Sequence, residues 1–248
     1  MDMGDCTHYI IMTIFKKVNY LRQGESFNYD YELILPVPLA NWDVFDYWER
    51  ERIESIRENV SKDDVLFDVG AEHGWLSVAI AKHCKVFLIE PTREFWPNIR
   101  ETWEKNLTDK PIGCYSGLMS NKTTDKTKSF EWPKESVGEL IGANKYEYIN
   151  QNSGIGEMKL DDLVKRSGII PTAINIDVEG AELLVLQGAE KTIIDNDLKI
   201  WVSIHPDLML KGFNNTPNDI HSFMNKRGYY FTFLARNHEE HYLYTKEK

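Results

Sequence analysis

The stretch Val65-Leu66-Phe67-Asp68-Val69-Gly70-Ala71-Glu72-His73-Gly74-Trp75-Leu76-Ser77-Val78-Ala79 decides the fold class. An apolar run of strand length meets two glycines four residues apart, and Leu76, Ala79 and Ile80 then recur at helical spacing. The segment reads as a buried strand, a tight turn and a helix. Glycine lets a ligand approach backbone N–H groups in the turn, and the helix start that follows favours negative charge in that ligand. A nucleotide-like ligand is therefore expected here. Neither G-x-G-x-x-G nor G-x-x-x-x-G-K-[ST] is present. Asp68-x-Gly70-x-x-x-Gly74 instead sets a carboxylate at the strand end, which would repel a pyrophosphate but suits the amino and sulfonium charges of S-adenosylmethionine. Taken alone, an ordinary strand-to-helix turn of an α/β domain explains the segment equally well.

Downstream, Val86-Phe87-Leu88-Ile89 is a second apolar strand ending in Glu90-Pro91. A carboxylate at this strand tip is where nucleotide-binding α/β folds hold ribose hydroxyls. It accepts from both hydroxyls of a cis-diol, and each hydrogen bond to a charged group is worth about 1.5–3 kcal/mol. Helices over 75–82 and 93–106 alternate with strands over 86–89 and 112–115, which implies a mostly parallel sheet. The turn Gly117-Leu118-Met119-Ser120 falls at a strand end, where Met119 either covers an adenine or packs in the core.

A short helix from Leu160 and a strand over 173–177 lead into Ile176-Asp177-Val178-Glu179-Gly180-Ala181-Glu182, which gathers three carboxylates at the end of a buried strand. Structural ion pairs do not need that density, whereas a crevice at the carboxyl ends of parallel strands does. Residues 199–204 form another strand, ending in His205-Pro206-Asp207. A helix over 217–227 and an antiparallel hairpin of strands 229–234 and 241–244 on the sheet edge close the chain.

At the other end, 9–15 and 31–35 are β-prone runs that read as edge strands or an extended arm. Residues 42–60 have helical spacing with Phe45, Trp48, Ile53 and Ile56 near one face, and this helix is expected to cap the sheet and roof the cofactor site. The aromatic cluster Trp42, Phe45, Tyr47 and Trp48 reads as core packing. Residues 121–158 break the alternation and read as an insertion forming part of an acceptor-binding wall. The expected organisation is an N-terminal extension with its cap helix over 1–60 and a catalytic domain over 61–248.

Of 248 residues, 42% are hydrophobic, which is enough for a sizeable core. The 29 basic against 39 acidic residues give a net charge of −10, so a long phosphate backbone is poorly attracted and a small or neutral substrate is favoured over nucleic acid. Cys6, Cys84 and Cys114 show no C-x-x-C spacing, so neither a disulfide framework nor a zinc site is indicated. Without an apolar leader or a run of about 18 apolar residues, the expected location is cytoplasmic, and the sequon at Asn121 carries no glycosylation meaning.

In their order and spacing, Asp68-Val69-Gly70-Ala71-x-x-Gly74, Ile89-Glu90-Pro91, Leu160-Asp161-Asp162-Leu163 and Ile176-Asp177-Val178-Glu179-Gly180-Ala181-Glu182, with Gly188-Ala189 behind, carry a family resemblance. Over about residues 62–206 the chain resembles the FkbM family of S-adenosylmethionine-dependent O-methyltransferases. The resemblance implies a class I methyltransferase fold: an α/β, Rossmann-like, seven-stranded sheet with only the last strand antiparallel and helices on both faces. It implies cofactor contacts from Asp68, Gly70, Ala71, Gly74 and Glu90, with Asp177 near the sulfonium and the acceptor. The family usually has Asn where Glu72 stands, and commonly an apolar residue at His73. Residues 1–40 and the insertion lie outside the resemblance, and acceptor choice is expected to reside there.

The expected reaction is methyl transfer to a hydroxyl of a sugar in a glycan or glycosylated metabolite. RNA 2′-hydroxyl methylation and a cofactor-binding module without catalysis are the alternatives. A sugar hydroxyl must lose its proton as it is methylated, and a positioned base contributes about 10²–10⁴-fold. His205, expected beside Asp177, is the candidate base; a histidine that merely caps a strand end is the competing view. In a further alternative Asp177, Glu179 and Asp207 hold Mg²⁺, which would acidify the hydroxyl. The metal-free version is preferred.

Overall fold

The computed structural model describes residues 15–20, 31–36, 49–132 and 156–246 of a chain that divides into two units, 1–48 and 49–248. In the first unit β1 (Phe15–Tyr20) and β2 (Tyr31–Pro36) pair antiparallel, Tyr20 opposite Tyr31, in a sheet of their own. The strand expected over 9–15 is thus found from Phe15 onward, and residues 9–14 lie outside the described residues. So does the aromatic cluster Trp42, Phe45, Tyr47 and Trp48. The helix expected over 42–60 is described as α1 (Arg50–Asn59), within the second unit.

The second unit continues with β3 (Val65–Val69), α2 (Trp75–Ala81), β4 (Lys85–Ile89), α3 (Trp96–Asn106), β5 (Gly113–Tyr115), β6 (Leu118–Met119), β7 (Glu157–Met158) and α4 (Leu160–Ser167). Then come β8 (Ala173–Ile176), α5 (Glu182–Gly188), α6 (Glu190–Asp195), β9 (Lys199–Ile204), α7 (Pro206–Phe213), α8 (Pro217–Asn225), β10 (Tyr229–Arg236) and β11 (Glu240–Lys246). A seven-stranded sheet runs β10-β11-β9-β8-β3-β4-β5. All neighbours from β9 to β5 are parallel, while β11 lies antiparallel to both β9 and β10. This is the class I methyltransferase arrangement that the resemblance implies.

The central strands are apolar on both faces because both faces are covered by helices. Phe67, Phe87, Ile174, Ile200 and Val202 are buried in one continuous core with Leu186 and Ile193 from the helices. α1 packs on α2 and on β9, β10 and β11, with Ile53 and Ile56 buried and Trp201 Nε1 donating to Ser55 Oγ at 2.9 Å. Cys84 and Cys114 are free, buried thiols. No helix among the described residues is long and apolar enough to cross a membrane.

The readings of residues 117–120 and of the insertion need correction. Residues 117–120 are not simply a turn: Leu118 and Met119 form β6, parallel to β7, and Met158 is fully buried. The end of the expected insertion is therefore core, and 121–132 are tied to the body through Tyr115 Oη to Asp125, Thr123 Oγ1 to Asp162 and Cys114 N to the Phe130 carbonyl. Residues 133–155 lie outside the described residues. A helix not expected from the sequence, α7, follows His205 directly, with Pro206 in its first turn, where a missing N–H costs nothing. The terminal hairpin lies at the sheet edge as expected, with β10 outermost and β11 between it and β9.

Gly188 shows how closely these layers meet. A Cβ there would lie 2.0 Å from the Ser120 carbonyl oxygen, so α5 rests on the backbone of β6. In an open helix Gly→Ala gains about 0.5–1 kcal/mol, but overpacking costs about 1–3 kcal/mol. Gly188→Ala is expected to lower stability in urea or thermal denaturation; a gain would mean that β6 can shift away freely.

Candidate active site

Gly70, at the end of β3, has φ +91°, and a Cβ on it would sit 1.7 Å from the Asp177 carbonyl oxygen. Glycine is thus required by the neighbouring strand end. The N–H groups of Gly70 and Ala71 both donate to the Ile89 carbonyl, at 2.9 and 3.1 Å, which corrects the expectation that they face a ligand. Gly74 has φ +76° at the start of α2, and its Cβ would approach Ile99 of α3 to 3.1 Å. Glu72 also has positive φ, 48°. Asn enters that left-handed region more readily than most residues, which accounts for the family's usual Asn there.

Glu90 at the tip of β4 is 0% exposed, and its carboxylate accepts from Glu72 N and Thr92 N, each at 2.8 Å. It joins two loops while still bordering a cleft between the ends of β3, β4 and β8. Gly70, Glu90, Met119, Asp177 and Ala181 all line this cleft. Of the other residues expected at the cofactor, Asp68, Ala71 and Gly74 are not in its lining. Asp68 is 1% exposed and receives hydrogen bonds from Ser77 Oγ and Asn175 Nδ2, locking β3 to α2 and β8. Burial lifts its carboxyl above the usual range against those two hydrogen bonds.

Beside the cleft lies a dense group of charges. His205, at the end of β9, has Nδ1 2.8 Å from Glu182 Oε1 and Nε2 2.6 Å from Glu239 Oε2. Asp177 Oδ1 and Glu179 Oε2 each lie 3.7 Å from the same Nε2. Arg52 of α1, 2% exposed, donates to Asp177 Oδ2 at 3.0 Å and also to Glu49 and Ser203. Burial opposes charge on His205, but its hydrogen bonds to Glu182 and Glu239 outweigh burial and push it up to about 11. Burial would raise Glu239, yet the hydrogen bonds from His205 and His238 hold it below the usual carboxylate range.

These contacts stand against the general-base role expected of His205. Carboxylates only accept, so both ring nitrogens donate and neither offers a lone pair to a substrate proton. Asp207 belongs to none of the His and carboxylate clusters among the described residues. Sequence reasoning missed Arg52, Glu49 and Glu239. Arg52 had a signal: it falls four residues before Ile56, on the apolar face of α1. Glu239 lay in the run Asn237-His238-Glu239-Glu240-His241, which reads as a solvated turn.

Removing one partner of a buried ion pair costs about 3–5 kcal/mol because the remaining charge is uncompensated. Arg52→Met should lose stability on that scale at neutral pH in chemical denaturation; a loss below about 1 kcal/mol would show that the cluster does not depend on the guanidinium.

The family model for the methyltransferase FkbM domain matches residues 68–231. No curated protein matches the chain. A solved FkbM methyltransferase from Methylobacillus flagellatus KT is 17% identical with a TM-score of 0.49; the alignment covers 75% of this chain and 44% of that one, so this chain spans less than half the relative's length. Precorrin-6y C5,15-methyltransferase from Geobacter metallireducens GS-15 is 12% identical with a TM-score of 0.46, covering 80% and 87% of the two chains. M. capricolum TrmK, in complex with the cofactor product S-adenosylhomocysteine, is 10% identical with a TM-score of 0.42, covering 79% and 68%. Because the family model spans more than half of the sequence, including both carboxylate-bearing strand ends, the chain belongs to the FkbM methyltransferase family.

Proposed function

We propose that this chain transfers a methyl group from S-adenosylmethionine to a hydroxyl of a sugar in a glycan or glycosylated metabolite. The observation that carries the reading is the cleft at the carboxyl ends of β3, β4 and β8, bordered by the carboxylates of Glu90 and Asp177. Open α/β sheets bind their ligands at this position. The cofactor is S-adenosylmethionine: Glu90 would hold the ribose hydroxyls, Met119 would cover the adenine and Asp177 would face the sulfonium. It supplies an electrophilic methyl group, and the accepting hydroxyl must give up its proton.

In this reading Asp177 receives that proton. Its Oδ2 is anchored by Arg52, while Oδ1 faces the His205 side and the residue borders the cleft. His205 acts as a positioning group, a cation held between Glu182 and Glu239 that fixes the electrostatics around Oδ1. The net charge of −10 supports a neutral acceptor over RNA. Acceptor choice is assigned to residues 1–40 and to the insertion over 121–158, and catalysis to the domain over 61–248.

Glu90→Ala should weaken S-adenosylhomocysteine binding by about 1.5–3 kcal/mol, roughly ten- to hundredfold, in calorimetry. Unchanged affinity would remove Glu90 from the site. Asp177→Asn should reduce kcat by about 10²–10⁴-fold with smaller effects on cofactor affinity. Turnover of labelled cofactor against a panel of glycans, their deoxy analogues and RNA tests the acceptor: label is expected on a sugar hydroxyl, lost when that hydroxyl is deleted, and label on RNA alone would overturn the reading.

A further inference from the structure

His238 and Glu239 sit in the turn of the β10–β11 hairpin, yet they reach the strand ends that carry Asp177 and His205. Oε2 of Glu239 lies between two imidazole nitrogens, 2.6 Å from His205 Nε2 and 2.9 Å from His238 Nε2. Donor atoms of His205, His238 and Glu239 all fall within 4.8 Å of one another, as do those of Asp177, Glu179 and His205. Ligands held about 2.0–2.2 Å from one ion at right angles are roughly 3 Å apart, and the distances of 2.6–3.7 Å among these atoms surround that spacing. The two imidazole rings are neighbours, with centroids 6.5 Å apart and planes at 63°.

Two further observations point to a ligand. Glu239 is 2% exposed, and its Oε1 has no hydrogen-bond partner; His241 Nε2, on a fully buried ring 3.6 Å away, has none either. Buried polar atoms are nearly always satisfied by protein, water or an ion. In addition, buried Glu182 accepts from His205 Nδ1 at 2.8 Å, which turns Nε2 towards the cluster. Carboxylate–histidine pairs of this kind orient the imidazoles of metal sites.

We propose that the cluster is a site for a divalent first-row transition ion, with His205, His238 and Glu239 as ligands and Asp177 and Glu179 beside them. Two imidazoles with carboxylates suit Mn²⁺, Co²⁺ or Zn²⁺ better than Mg²⁺, which prefers oxygen and water. On binding, the Nε2 protons of His205 and His238 pass to solvent, while the Nδ1–H of His205 stays hydrogen-bonded to Glu182. One consequence rests on the methyl-transfer reading: an ion sharing Asp177 with the cleft would bind the acceptor hydroxyl and lower its pKa. The site itself does not rest on that reading, and it differs from the Asp177, Glu179 and Asp207 set expected from sequence.

The test titrates the full chain, stripped by chelator, with Co²⁺ alone, followed by calorimetry and visible absorption. One Co²⁺ per chain is expected, with affinity reduced about tenfold or more in His238→Ala and in Glu239→Gln and unchanged in Asp207→Ala. His238 is half exposed, so its replacement leaves the core intact. No stoichiometric uptake, or uptake equal to wild type in both His238→Ala and Glu239→Gln, overturns the site. S-adenosylhomocysteine binding by the same preparations separates the two readings: binding without Co²⁺ uptake sinks the metal site alone, and Co²⁺ uptake without it leaves the metal site standing and contradicts the cofactor.

Discussion

The close approach of two backbones, the turn after β3 and the end of β8, is the constraint on which the site depends. With only a hydrogen at Gly70, the chain fits against the Asp177 carbonyl, where a Cβ would lie 1.7 Å from the oxygen. Asp177 N in turn donates to the Val69 carbonyl at 2.9 Å. The carboxylate of Asp177 is thereby held at the border of the cleft that Glu90 reaches from β4. Backbone contact fixes the separation of the two strand tips, and the side chains inherit it.

Beyond this contact, the structure concentrates charge. Glu49, Asp177, Glu179, Glu182 and Glu239 approach Arg52 and His205 within a largely buried region. Desolvating carboxylates costs several kcal/mol each unless cations and hydrogen bonds compensate. Arg52 and an imidazolium supply part of that compensation, and the unpartnered Glu239 Oε1 shows where it is incomplete. The same concentration makes His205 a poor base and leaves Asp177 as the rim carboxylate with one oxygen turned away from Arg52. Fold and chemistry are therefore coupled through α1, whose apolar face packs on the sheet while its buried arginine orders the acidic rim.

Much of this was legible in the sequence where local chemistry decides. Apolar runs buried on both faces, followed by glycine, a carboxylate or histidine, marked β3, β4, β8 and β9, and their alternation with helices implied the parallel sheet. What escaped was decided by distant partners. β6 and β7 are two-residue strands that exist only because they pair with each other across the expected insertion. α7 was hidden by Pro206, which breaks helices inside but opens them at the first turn. The role of His205 depends on Glu239 from a hairpin turn and Glu182 from α5, and neither could be placed beside it from spacing alone. The turn glycines were legible as a residue type, but their protein neighbours, the Asp177 backbone for Gly70 and Ile99 for Gly74, come from distant elements.

A crystal structure of the full chain grown with S-adenosylhomocysteine tests the central claim most directly. The account predicts the ribose hydroxyls on the Glu90 carboxylate, the adenine against Met119 and the sulfur facing Asp177 across the cleft. A ligand bound elsewhere, for instance in the hollow beside Arg100, Gly113 and Trp132, with Glu90 contacting only the Glu72 and Thr92 amides, would contradict it.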